Sequence, residues 1–194
     1  WRGKTIVDLD RDFLDSGGVR PTTRVVVKAP QPESYFRQLP PEVDGAGDLA
    51  TAWLRNLQRL NVCSRRGLVE IFDSTIGAGT VLVPLGGAYQ LTPAESMAAK
   101  IPVLGGETTT ATLMSYGYNP AIGRWSPFHG ALYAIVEAVA RIAAAGGDYR
   151  RIRLSLQEYF ERLGEDPAKW GKPFAALLGA YYVQTELGIP AVGG

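Results

Sequence analysis

The sequence is poor in the residues that build redox and metal chemistry. Its 194 residues hold one cysteine, Cys63, and one histidine, His129. A lone cysteine excludes an intramolecular disulfide and a thiolate metal cluster, and such usage suits a reducing cytosol. No base stands near Cys63 in the sequence, so it reads as a packing residue. A single histidine excludes a multi-histidine metal centre. His129 reads as a structural group rather than part of a Ser-His-Asp triad. An excess of one charge is also missing. Twenty Lys and Arg stand against nineteen Asp and Glu, a net charge of +1, so nothing points to nucleic acid or another polyanion as partner. The short clusters Arg59, Arg65, Arg66 and Arg150, Arg151, Arg153 read as surface charge. No apolar run reaches membrane-spanning length, since residues 130–145 are interrupted by Glu137 and Arg141. No leader-type apolar run follows Trp1-Arg2-Gly3-Lys4, so no signal peptide is expected. The chain opens on Trp1 rather than Met and stops at Gly193-Gly194. We expect both to be boundaries inside a longer protein.

What is present suits a globular domain. Hydrophobic residues make up 46% and charged residues 20%, enough to build a core. The length predicts one domain, or one with a small appendage. The appendage is residues 1–66, punctuated by Pro and Asp. Within it, residues 4–9 read as a short strand, 8–15 as a helical turn ended by Gly17-Gly18, and the β-branched run 22–27 as a strand. Pro30, Pro32, Pro40 and Pro41 mark a loop. Residues 48–60 place Leu49, Trp53, Leu54, Leu57 and Leu60 on one helical face behind an Asp48 N-cap, and a short helix over 64–71 follows.

Residues 67–194 form the denser unit. Residues 79–84 read as a strand buried on both faces. Thr92-Pro93-Ala94-Glu95 is a helix-start pattern. Residues 101–104 and 107–115 read as strand, and 116–125 as loop. A long helix over 128–145 is closed by Gly146-Gly147. Residues 149–156 alternate strictly and read as strand. A helix over 173–187 ends at Gly188, and 189–192 starts another strand. This order predicts an α+β fold.

Two clusters invite chemistry. Gly105-Gly106-Glu107-Thr108-Thr109-Thr110 joins glycines that allow close backbone approach with hydroxyls and a carboxylate suited to nucleotide-bound Mg²⁺. The competing reading is a β-branched strand after a bulge. Glu137 and Arg141, one turn apart on the long apolar helix, are either a structural i,i+4 pair or a functional one, with Arg141 able to meet a phosphate. Gly77-Ala78-Gly79-Thr80 lacks the Lys-Ser/Thr of a P-loop and reads as a tight turn.

Residues 73–194, with the Gly105–Thr110 segment and Ser126-Pro127-Phe128-His129-Gly130, closely resemble the formylglycinamide ribonucleotide amidotransferase family. Its members are also called phosphoribosylformylglycinamidine synthases, and the likeness is to an internal slice of the large, clostridial-type single-chain form. The resemblance implies the ATP- and glutamine-dependent conversion of formylglycinamide ribonucleotide to its amidine in purine biosynthesis, in the cytoplasm. It implies a mixed β-sheet with helices packed on one face, as in the N-terminal domain of the aminoimidazole ribonucleotide synthetase superfamily, here from the second synthetase half. It implies ATP or ADP with Mg²⁺, the nucleotide at Gly105, Gly106, Thr108, Thr109 and Arg141, and the metal at Glu107 and Glu137. Gly105 stands where the family commonly carries a metal-binding Asp, and Arg141 where it carries Asn. The natural partners are then the other synthetase half and a glutaminase domain of the same polypeptide. This piece is expected to act as scaffold and partial nucleotide site, inactive alone, and to pair its sheet edges into a homodimer. The alternatives are a relative such as aminoimidazole ribonucleotide synthetase, or a non-catalytic interaction module.

Overall fold

The computed structural model describes residues 1–15 and 22–193. Helix α1 (Arg11–Asp15) is the helical turn read near the start, and its expected Gly17-Gly18 stop lies outside the described residues. Residues 4–9 and 22–27 do not form strands. The second segment pairs with no sheet. It lies instead against the start of the last helix, where Val26 N–H donates to the Pro167 carbonyl at 2.9 Å. A β-branched run favours extended backbone, but a strand also needs a partner edge.

Helix α2 (Leu49–Gln58) begins where expected. Asp48 accepts from Thr51 N–H at 2.9 Å and from the Thr51 hydroxyl at 2.6 Å. Its apolar face is uncovered, with Leu49 84% and Trp53 62% exposed. Helix α3 (Arg66–Val69) is short.

The strands are shorter than the sequence suggests, and among the described residues they form three small sheets rather than one mixed sheet. The α+β class holds. Strand β1 (Thr80–Leu82) exists but is not buried on both faces: Val81 and Val83 are exposed. Strands β2 (Leu85–Gly86) and β3 (Thr92–Pro93) pair antiparallel, so Thr92-Pro93 starts no helix. Gly87 at φ 81° and Gln90 at φ 52° turn the chain between them. Strand β4 (Met97–Lys100) pairs with β1 on one side and β5 (Ala111–Met114) on the other, all antiparallel. Residues 101–104 and 107–110 lie in the connection between β4 and β5 instead of in strands.

The loop expected over 116–125 contains helix α4 (Pro120–Trp125), whose N-cap Asn119 accepts from the Ala121 and Ile122 amides. Helix α5 (Pro127–Ala144) follows with Pro127 in its first turn and buried Ser126 as cap. Gly146, at φ 89°, ends it as read. Of residues 149–156 only β6 (Leu154–Ser155) is strand, because 149–151 turn as a 3-10 helix. Helix α6 (Pro167–Leu187) starts earlier than expected, at the Asp166 cap, and runs through Pro173. Strand β7 (Ala191–Gly193) returns parallel to β6.

The core sits between α5, α6 and the β6–β7 pair. Ile135, Val139, Leu154, Ala180, Val183 and Ile189 form its centre. Gln184 ties the layers, donating to the Ala180 carbonyl and accepting from Ala191 N–H at 2.7 Å. Small residues let α5 and α6 approach closely: a Cβ on Gly179 would lie 2.1 Å from the Phe128 carbonyl oxygen. Among the described residues no helix is long and apolar enough to cross a membrane.

Candidate nucleotide loop and ion-pair cluster

The β4–β5 ladder pairs Met97 with Met114 and closes at Lys100 and Ala111. Residues 101–110 are therefore the tip of an antiparallel hairpin. This tip holds Gly105, Gly106, Glu107, Thr108 and Thr109 together on one exposed loop. Gly105 takes φ 69°, a backbone that side-chain-bearing residues rarely adopt. Thr110 N–H donates to the Thr108 hydroxyl at 3.1 Å. Glu107 is exposed and makes no hydrogen bond or ion pair with any described residue.

Glu137 and Arg141 lie elsewhere, on α5, in a cluster of their own. The Arg141 guanidinium meets Glu137 at 2.8 Å and Glu95 at 2.6 Å. It also donates to the Tyr116 carbonyl and stands 4.9 Å above the Tyr116 ring. The second Glu137 oxygen accepts from Tyr118 N–H at 2.9 Å. Arg141 is only 18% exposed in its side chain, so these contacts are worth more than those of a solvated pair. Ser115 adds a hydrogen bond to the Ala138 carbonyl at 2.7 Å. The segment 115–118 is thus fastened along α5 at three of its four residues, Ser115, Tyr116 and Tyr118.

The structure does not join the two clusters. No hydrogen bond or ion pair links residues 105–109 to Glu137 or Arg141 among the described residues. Two carboxylates around one guanidinium leave the α5 cluster with net charge minus one, which repels a phosphate rather than attracting it. Among the described residues no group of three or more His, Cys, Asp or Glu is placed to hold a metal ion. A metal cage built from this chain alone is absent there. Mg²⁺ often needs only one or two carboxylates beside phosphate oxygens and waters; the Glu107 carboxylate is exposed, whereas each Glu137 oxygen already has a partner.

Sequence reasoning missed Glu95, Tyr116 and Tyr118. Glu95 was hidden by the helix-start pattern around it. The signal for the other two was Tyr116-Gly117-Tyr118, where a glycine between aromatics marks a close backbone crossing. His129 is structural in its setting: its Nδ1 lies 2.7 Å from the buried Ser126 hydroxyl, and its ring packs on Trp125 and Phe128. Cys63 is half-buried with only a weak contact to the Leu60 carbonyl.

Four exposed carboxylates titrate below their usual range. Asp48 and Asp73 are held down first by the hydroxyls of Thr51 and Thr75, Asp148 first by the Arg150 amide, and Glu161 first by Lys172. None lies in either cluster.

The chain is similar to curated proteins named phosphoribosylformylglycinamidine synthase subunit PurL. The Thermoplasma volcanium protein is 29% identical over 76% of this chain and 18% of its own length. Those of Parafrankia sp. and Methanosarcina barkeri are 27% and 24% identical over 100% of this chain and 24% of their own length. The resemblance read in residues 73–194 is borne out, and it extends through residues 1–66 as well. The chain spans a quarter or less of the curated relatives it matches. No family model matches it, and no solved structure matches it significantly.

Proposed function

We propose that this chain is an internal piece of a cytoplasmic phosphoribosylformylglycinamidine synthase and serves there as scaffold and as one wall of a nucleotide site. The observation that carries the reading is the PurL similarity over the whole chain, from relatives more than four times the matched length. The exposed surface supports it. The accessible area is 15398 Å², whereas a compact monomer of this mass shows about 9,000 Å². The apolar faces of α2 and β1 are the parts a longer polypeptide would cover.

In this reading residues 67–194 are the synthetase-like domain of the second half, with the fold of the aminoimidazole ribonucleotide synthetase superfamily. Residues 1–66 are the segment that leads into it. The whole enzyme joins ATP-driven activation of the formylglycinamide oxygen to its replacement by glutamine-derived ammonia. This chain supplies no catalytic residue. Its Gly105 and Gly106 let the backbone approach the nucleotide phosphates, Thr108 and Thr109 offer hydroxyls, and Glu107 offers the carboxylate for Mg²⁺. Glu137 and Arg141 act by holding the hairpin rather than by touching ligand.

Calorimetric titration of the purified chain with ADP and Mg²⁺ tests this. Weak saturable binding, of about millimolar Kd, is expected, with loss in Glu107→Gln. Equal binding by wild type and Glu107→Gln would remove the metal role. Purified chain alone is expected to make no amidine from formylglycinamide ribonucleotide, ATP and either glutamine or ammonia.

A further inference from the structure

The β4–β5 register, continued two residues outward from Met97 and Met114, sets Glu95 opposite Tyr116. These are the two positions that Arg141 grips, by the Glu95 carboxylate and the Tyr116 carbonyl. The hairpin is therefore closed at its open end by a side chain from another layer. Beyond Met97 and Met114 no ladder pair holds the two legs together, so the guanidinium takes over where backbone pairing stops. Glu137 fixes the direction of that guanidinium at 2.8 Å and takes the Tyr118 amide with its other oxygen. The Tyr116 ring fills the remaining side. At the far end of the same two legs sits the loop 105–109.

We propose that Arg141 is a positioning residue for the hairpin tip: with Glu95 and Glu137 it locks the base of the β4–β5 hairpin onto α5 and so sets where residues 101–110 are held. The inference deepens the nucleotide-wall reading and rests on it for its functional meaning, but its geometry is independent of any ligand. Arginine is required because three acceptors in different directions need its planar fork, which the single ammonium of lysine cannot serve at once. β5 is the edge of its sheet, so among the described residues no further strand pairs along its outer side.

The test is hydrogen exchange of the 194-residue chain, read by mass spectrometry, for wild type, Arg141→Lys, Glu95→Gln and the double variant. Loss of charge-assisted contacts at one end is expected to speed exchange in residues 95–118 by about ten- to a hundredfold. Exchange in α6 should stay as in wild type, which a general loss of stability would not allow. Glu95→Gln should give a smaller effect, absent when Arg141 is already replaced. Unchanged exchange over 95–118 in Arg141→Lys, or equal acceleration there and in α6, overturns the proposal. ADP with Mg²⁺ in a parallel series separates the two readings. Faster hairpin exchange with no wild-type ADP binding keeps the clamp and rejects the nucleotide wall. Wild-type ADP binding that Arg141→Lys leaves unweakened, despite a loosened hairpin, rejects the positioning role and keeps the wall.

Discussion

Replacing Gly117 by alanine should be among the most damaging single-methyl changes in the chain. The added Cβ would lie 1.9 Å from the Ala134 carbonyl oxygen and 2.9 Å from the Ala138 nitrogen. Both are backbone atoms in the middle of α5, so neither can swing aside as a side-chain tip would. Reaching ordinary contact requires the segment 115–118 to lift off the helix by about 1–1.5 Å. That movement pulls on every bond that fastens it: Ser115 to Ala138, Arg141 to Tyr116, and Tyr118 to Glu137. A neutral hydrogen bond is worth about 1 kcal/mol net and one to a charged group about 1.5–3 kcal/mol. Losing most of them costs about 3–5 kcal/mol, a large share of the stability of a domain this size. Urea unfolding of wild type and Gly117→Ala measures the difference. Gly123→Ala is the control, because a Cβ there meets nothing within 4 Å and alanine suits a helix better than glycine by about 0.5–1 kcal/mol. A Gly117→Ala midpoint equal to that of wild type would refute the close crossing of α5 on which the clamp depends.

Further outcomes follow from other contacts. Gly171→Ala would place a Cβ 2.0 Å from the Val26 carbonyl oxygen and should detach the segment 22–29. Proteolytic cutting there should speed up while α5 and α6 keep their protection, and an unchanged cutting rate would count against the docking. Asp48 titrates low because its charged form accepts from Thr51, so its contribution to α2 is fully present above the usual carboxylate range. That contribution is lost as pH falls through the lowered value. The Thr51 amide, followed by NMR, should therefore move with a midpoint below the ordinary value of about 3.9, and should not move so in Asp48→Asn. Edge strands β1 and β5 and the uncovered apolar faces should drive the chain into a homodimer, seen by light scattering; a monomer mass at every usable concentration would exclude it.

The helical half of the fold was largely legible in the sequence. Gly146 ends α5 and Gly188 ends α6, because caps are local chemistry that packing seldom overrules. The same rule failed at Thr92-Pro93, where Leu85 and Gly86 were near enough to pair and turned a helix start into β3. It was not applied at Asn119-Pro120 or at Ser126-Pro127, where it held. Strands were overextended throughout. Residues 22–27 have strand composition but no edge to join, and 107–110 lie past the point where the hairpin opens into its tip. β1 was read as doubly buried from its apolar run, yet Val81, Leu82 and Val83 are exposed. Of the candidate site, the tip residues were legible as a group. The clamp was half legible: Glu137 and Arg141 stood out by spacing, whereas Glu95 and Tyr116 reach them only through the register of a hairpin.

Residues 101–110 are proposed to form one wall of a nucleotide site. Hydrogen exchange at those residues, with and without saturating ADP and Mg²⁺, tests it most directly. Exchange at 101–110 is expected to slow on ligand addition, with the effect lost in Glu107→Gln and α6 unaffected. Identical exchange at 101–110 in both conditions, up to the solubility limit of the nucleotide, would contradict it.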